Sequence, residues 1–205
     1  MRTDLAGVVL AGGRATRMGG GDKGFCHVAG RQIIDHVIAR LAPQVAALAI
    51  NANGDAARFA GFGLPVLPDS LPDYPGPLAG VLSGLDWAAS HGFGAVVTAA
   101  ADTPFFPTDL VARLRAAAGP SGLALCASAD TEGRLQRHPT FGLWPVARRD
   151  DLRAALQGGL RKVAAWADRH DAGTATFDAG RFDPFFNVNT PEDLALAERI
   201  AGQQA

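Results

Sequence analysis

The sequence predicts a three-layer α/β/α fold on a mostly parallel sheet. Three observations lead there. Short runs of β-branched and aliphatic residues alternate with amphipathic stretches of about ten residues, the pattern of βαβ units. Several of the strand runs are apolar throughout, as expected for strands covered on both faces. The segments that follow the strand candidates, 11–24, 51–55, 68–77 and 101–105, are rich in Gly, Pro, Asn or Asp, and ligands of α/β sheets collect at the carboxyl ends of the strands.

Leu5–Leu10 reads as a buried strand. Gln32–Leu41 carries apolar residues at Ile33, Ile34, Val37, Ile38 and Leu41 and stops before Pro43, which makes it an amphipathic helix. Val45–Ile50 is a second strand, Ala56–Ala60 a short helix, and Val66 with Leu67 a short strand. Leu78–Ser90 reads as a helix, Ala95–Ala100 as another buried strand and Thr108–Ala117 as a helix. The second half is less regular: strands at Leu123–Ser128, Phe141–Trp144 and Thr174–Phe177, helices at Arg149–Leu156 and Val163–Arg169, and a closing helix from Pro191. The Gly119-Pro120-Ser121-Gly122 turn is the weakest point, yet no linker or repeat divides the chain. One domain over residues 1–205 is expected.

Composition narrows the function. The 205 residues include 19 basic and 20 acidic side chains, a net charge of −1, so no basic field exists to hold nucleic acid or an anionic membrane. No apolar run approaches the roughly 20 residues of a membrane span. The amino terminus lacks the order of a secretion signal, and a cytoplasmic protein is expected. Cys26 and Cys126 form no CxxC pair and read as reduced thiols. Only Lys23 and Lys162 are lysines; the other 17 basic residues are arginines. A lysine kept in a chain that otherwise uses arginine points to a compact ammonium where a planar guanidinium would not serve.

Lys23 lies in the most informative segment, Leu10-Ala-Gly-Gly-Arg-Ala-Thr-Arg-Met-Gly-Gly-Gly-Asp-Lys-Gly24. Five glycines between Gly12 and Gly21 let backbone N–H groups wrap an anion, and Arg14, Arg17 and Lys23 add positive charge. The arrangement suits a polyphosphate. It is not a Walker loop, because no Ser or Thr follows Lys23 to hold magnesium. Gly19–Gly24 matches GxGxxG in form, but it begins eight residues beyond the first strand instead of opening a helix there.

This loop resembles the signature of the molybdenum cofactor guanylyltransferases, within the wider nucleotidyltransferases built on LAGG…RMG…K. The resemblance continues through Pro75-Gly-Pro-Leu-Ala-Gly80, Asp102-Thr-Pro-Phe105, His138-Pro-Thr-Phe-Gly-Leu-Trp144 and Asn187-Val-Asn-Thr-Pro-Glu-Asp-Leu194, and so spans nearly the whole chain. Phe25, where the family has leucine, is a like-for-like apolar departure. The resemblance implies a Rossmann-like sheet of the nucleotide-diphospho-sugar transferase type, with a GTP-binding half at approximately 1–106 and an acceptor-binding half at 107–205. It implies GTP contacts from Leu10, Ala11, Gly12, Lys23, Asn51, Asp69 and Asp102, and Mg2+ on Asp102; Mn2+ accepts the same oxygen ligands, and the sequence does not choose between the two ions. Arg17, Lys23 and Asp102 are the catalytic candidates.

The residues carry their own case beside that implication. A carboxylate at the end of a central strand suits an oxygen-ligated cation whose shell a triphosphate completes, although a turn or cap aspartate reads the same way at Asp102. Guanine offers N1–H and N2–H donors and an O6 acceptor, which Asp69 and Asn51 match; an Asx turn and a loop aspartate are the plainer readings. Thr190, Pro191 and Asp193 form a helix-capping box, leaving Asn187 and Asn189 on one side of an extended segment; the resemblance places them at the active-site mouth, where they would bind the metal's waters or the acceptor phosphate, and turn-forming asparagines are the plainer reading. His138 is an acceptor candidate or a core histidine on an aromatic strand.

The expected partners are GTP and the molybdenum cofactor, with molybdoenzymes or their chaperones as recipients. Rival readings are a molybdopterin cytidylyltransferase, a sugar-phosphate nucleotidyltransferase and a non-catalytic cofactor-delivery protein. An NAD-dependent oxidoreductase would need an acidic residue where the second strand ends, and Asn51 stands there.

Overall fold

The computed structural model describes residues 4–12, 23–71, 76–130 and 132–204. Seven strands form one sheet: β1 (Leu5–Leu10), β4 (Ala47–Asn51), β5 (Val66–Leu67), β6 (Ala95–Ala100), β7 (Ala124–Ala129), β8 (Leu135–Pro145) and β9 (Gly173–Asp178). Their order is β5-β4-β1-β6-β8-β7-β9. β2 (His27–Val28) and β3 (Arg31–Gln32) make a separate hairpin. The helices are α1 (Ile33–Leu41), α2 (Pro77–Ser90), α3 (Leu110–Ala117), α4 (Arg149–Gln157), α5 (Val163–Arg169) and α6 (Pro191–Gln204). Among the described residues no helix is long and apolar enough to cross a membrane.

Side-chain alternation on β1 explains the three layers. Leu5 and Val9 join the core beneath α1 and α3 with Val37, Leu41, Leu110 and Leu114. Ala6 and Val8 point the other way, to a core made with Leu82 and Leu85 of α2, Leu152 of α4 and Trp166 of α5. Both faces of β1 are therefore dry, which accounts for its unbroken apolar run. A third cluster packs α6, through Ala197 and Ile200, against Val28, Ile33, Phe105 and Val188.

The predicted elements are present with ends shifted by a few residues, and two features differ. β8 runs antiparallel to β6 and β7 and is 11 residues long, where only Phe141–Trp144 was expected. Its first half, Leu135–Arg137, is exposed and carries no apolar run to betray a strand. Between the halves the register on β7 jumps from Gly142 opposite Leu125 to His138 opposite Cys126, and Pro139, with no N–H to donate, falls in this bulge. The β2–β3 hairpin was not foreseen. Its turn takes positive φ at Ala29 (49°) and Gly30 (75°), and Ala in the first place hides the usual Asn-Gly or Asp-Gly signal.

In the core, Trp144 Nε1 donates to Thr98 Oγ1 at 2.9 Å, and both residues are fully buried. Thr98→Val keeps the shape but leaves the indole N–H without its acceptor. A loss of about 1–3 kcal/mol of stability is expected on denaturant unfolding.

Candidate active site at the carboxyl edge of the sheet

Parallel pairing of β5, β4, β1 and β6 brings the ends of four strands to one edge. Backbone bonds continue the ladder past the strands. Ala101 N donates to Leu10 O at 3.0 Å, Ala11 N to Asn51 O at 2.8 Å, and Ala52 N to Leu67 O at 3.0 Å. Leu10, Ala11, Asn51 and the residue before Asp102 thus stand in one row. The 3-10 turn at Lys23–Phe25 lies against the same edge: a Cβ on Gly24 would come 3.6 Å from the Ala101 carbonyl oxygen. Phe25 packs on Phe59 and Phe62, with ring centroids 5.3 and 6.4 Å apart, so a larger apolar ring is accommodated here. Arg17, with the rest of residues 13–22, lies outside the described residues.

Asn51 and Asp69 belong to one network. Asn51 is 3% exposed, and its Nδ2 donates to Leu67 O at 3.1 Å and to Asp69 Oδ1 at 2.9 Å. Both partners only accept, so the amide must present its NH2 to them and turn its oxygen away. That oxygen faces α2 and the start of the glycine loop. A Cβ built on Gly80 would stand 2.2 Å from Asn51 Oδ1, and one on Gly12 at 3.5 Å. Gly80 is therefore required by the close approach of a buried amide to a helix backbone. Ser83 of α2 ties the loop down as well, its hydroxyl donating to Pro68 O at 2.6 Å.

Asp102 follows β6 and is half-buried. The carboxyl-terminal segment closes on it from the other half of the chain: Val188 N donates to Asp102 O at 2.9 Å, and Thr103 Oγ1 donates to Asn187 Oδ1 at 2.7 Å. Val188 is fully buried while Asn187 is exposed and Asn189 half-buried, as the alternation of an extended segment requires. The capping box exists: Asp193 Oδ2 accepts from Asn189 N and Thr190 N at 2.9 and 3.0 Å, and Asp193 N donates to Thr190 Oγ1. Sequence reasoning missed Thr103, the buried hydroxyl that joins the Asp102 turn to Asn187. A threonine beside the aspartate carried no signal of its own.

His138 sits apart from this row. It is 7% exposed, its Nε2 lies 2.7 Å from Ser128 Oγ and 3.5 Å from Asp183 Oδ2, and its ring stacks on Phe185 at 4.5 Å. One nitrogen faces both the acid and the hydroxyl, unlike a relay in which they hold opposite nitrogens. Asp183 Oδ1 in turn accepts from Phe185 N at 2.9 Å. Two of the groups against His138, Asp183 and Phe185, thus belong to the segment that leads to Asn187. Among the described residues no three His, Cys, Asp or Glu side chains group to hold a metal by themselves.

The model of the MobA-like NTP transferase domain matches residues 7–172. A molybdenum cofactor guanylyltransferase of Bradyrhizobium sp. (strain ORS 278) is 53% identical over 207 residues, covering 98% of this chain and 95% of that protein. The chain belongs to the molybdenum cofactor guanylyltransferase family. A second relative so named, from Mesorhizobium japonicum, is 49% identical and covers 98% and 97% of the two chains. The fold matches the molybdopterin-guanine dinucleotide biosynthesis protein A of Archaeoglobus fulgidus with a TM-score of 0.72 at 23% identity, over 97% and 99% of the chains. It also matches the 2-C-methyl-D-erythritol 4-phosphate cytidylyltransferase of Thermus thermophilus, with a TM-score of 0.70 at 22% identity over 98% and 100%. The chain is thus a nucleotidyltransferase on the α/β fold foreseen.

Two expectations follow. Gly80→Ala must displace the Asn51 amide, so GTP affinity should weaken at least about tenfold in calorimetric titration; an unchanged affinity would free Asn51 of any part in binding. Burial lowers the pKa of His138 below its ordinary 6.5, and Asp183 only partly opposes this. The unfolded chain then takes up this proton first, so the contribution is present above pH 6.5 and lost as pH falls through the lowered value. The difference in unfolding free energy between wild type and His138→Gln should shrink over that window.

Proposed function

We propose that the chain transfers the GMP moiety of GTP to the terminal phosphate of molybdenum-bearing molybdopterin, releasing pyrophosphate and forming molybdopterin guanine dinucleotide. The observation that carries this reading is the meeting, at one sheet edge, of the Asn51–Asp69 pair with Asp102 and the Asn187 segment clamped to it. Asp69, held by Asn51, suits the donor edge of guanine. Asn187 and Asn189 suit an acceptor phosphate, with residues 1–106 serving GTP and 107–205 the acceptor. On this reading His138 serves the acceptor by holding the Phe185 segment in place.

Magnesium takes one or two protein carboxylates and fills its other positions with phosphate oxygens and water, and a single strand-end carboxylate at Asp102 fits that donor set; Mn2+ accepts the same oxygens. Bound there, such an ion would neutralise phosphate charge and act as a Lewis acid toward the α-phosphoryl group. The acceptor phosphate is largely ionised at pH 7, its second pKa being about 6, so no general base is called for. Catalysis then rests on alignment and charge. Lys23 and Arg17 supply cations for the charge that builds on the α-phosphate and on departing pyrophosphate. The setting is the cytoplasm, with GTP and molybdenum cofactor as substrates and molybdoenzymes or their chaperones as recipients.

The test is single-turnover GMP transfer with GTP, Mg2+ and molybdenum-loaded molybdopterin, the product identified by mass and CTP run in parallel. Asp102→Ala and Lys23→Ala should each slow transfer about a hundredfold. Near wild-type rates in both, or equal use of CTP, would overturn the assignment.

A further inference from the structure

Asp69 is held from two sides, and only one of them was a site candidate. Asn53 Nδ2 donates to Asp69 Oδ2 at 2.7 Å, while Asp69 N donates to Asn53 Oδ1 at 2.9 Å. This closed, reciprocal pair leaves no ambiguity about the amide, since its oxygen meets a group that only donates and its nitrogen one that only accepts. Asn51 holds the other carboxylate oxygen, Oδ1, at 2.9 Å. Each oxygen of Asp69 therefore takes one amide N–H. The plane of the carboxylate is fixed, and each oxygen keeps a further lone pair for an outside donor.

The two asparagines differ in what else they do. Asn51 is buried and also braces Leu67 O, so its loss would disturb the sheet edge. Asn53 is exposed, and among the described residues its side chain bonds only to Asp69; its backbone carbonyl accepts from the Arg58 guanidinium, which a side-chain change leaves in place. Gly54 follows with φ of 83° and turns the chain away from the edge. Asn53 is thus placed to act on Asp69 and on little else.

We propose that Asn53 is a positioning residue for base selection: it sets the rotation of the Asp69 carboxylate so that both oxygens face the paired N1–H and N2–H donors of guanine. The inference rests on Asp69 reading the base. Guanine presents these two donors side by side, and a carboxylate receives both only when its plane coincides with that of the base. Freed of Asn53, the carboxylate turns about its remaining tether to Asn51 and keeps one contact. Hypoxanthine, which has N1–H but no 2-amino group, is the natural probe, because it makes only one of the two bonds.

The experiment measures KM and kcat for GTP and ITP in wild type, Asn53→Ala, Asn53→Asp and Asp69→Ala, with thermal unfolding as a check on the fold. Wild type should favour GTP over ITP in KM by about tenfold, the worth of one hydrogen bond to a charged group. Asn53→Ala should raise KM for GTP about tenfold, bring the GTP-to-ITP ratio close to one and leave kcat within a few fold. Asn53→Asp keeps the size of the side chain but cannot donate and sets a second carboxylate against Asp69, so it should lose the preference as well. A wild-type ratio in both Asn53 variants, with Asp69→Ala losing it, overturns the role of Asn53 alone. A wild-type ratio in Asp69→Ala overturns the reading of Asp69 as the base-contacting group, and the inference with it.

Discussion

The parallel register of β4, β1 and β6 is the constraint from which the site follows. Ala6 to Leu10 pair residue by residue with Ala47 to Asn51 on one side, and Leu5 to Leu10 with Ala95 to Ala100 on the other. Strands in parallel register end together, so Ala11 and Gly12, Asn51 and Asp102 are brought to one edge with no further device. A one-residue slip of β4 would also swap the faces, turning Ile50 toward α2 and Asn51 into the apolar cluster of Val9 and Phe59. The register is held because both faces are packed: Ile50 lies in the cluster with Val9 and Phe59, while Asn51 points toward α2 and Gly80. The same packing that stabilises the sheet aims the polar residue.

The carboxyl-terminal segment joins that edge through a small buried cluster and an exposed hydrogen bond. Val188 and Phe105 share a cluster with Val28 of the hairpin and Ile200 of α6. Ala29 N also donates to Glu198 Oε2 of α6 at 3.0 Å. The hairpin directly follows the turn at Lys23–Phe25, and Phe105 directly follows the Asp102 turn. One small apolar cluster therefore ties together the exit of the glycine loop, the end of β6 and the Asn187 segment. On the proposed reading this cluster would hold the donor and acceptor halves in register, where small misplacement of a reacting group costs rate steeply.

Most of this was legible where the residues obey a single strong rule. β1 is an unbroken apolar run and β6 is interrupted only by Thr98, because both are central and covered twice, and their predicted limits match the observed strands. α5 matches as well, at Val163–Arg169. Legibility fails where local pattern is weak and tertiary structure decides. The exposed start of β8 alternates with no period, and its antiparallel direction depends on β6 and β7, which no property of its own residues announces. At the site, Asn51 and Asp69 came from the family resemblance, but their bond to each other lies 18 residues apart in sequence and only the fold reveals it. Asn53 carried a faint signal, being two residues from Asn51 on an extended stretch. Thr103 carried none.

His138 shows how the two levels of reading meet. As a sequence it offered a histidine before a proline and aromatic residues, which fits a ligand contact and a core residue equally well. In the fold the proline is explained by the bulge, and the aromatic residues by their neighbours: Phe141 and Phe177 both meet Phe185 edge-on, at 4.9 and 5.2 Å, and Phe185 stacks on the imidazole. Phe185 is the hub of that group, and it lies two residues before Asn187. Burial disfavours the charged imidazole, and Ser128 and Asp183 give its polar edge partners, while its stacking on Phe185 makes it an anchor. What it anchors is the start of the extended segment whose other end is fixed by the Asp193 cap. Asn187 and Asn189 are thereby held between two anchors, one aromatic and one polar, on a backbone with little freedom left to lose, which is what the proposed acceptor contact would need.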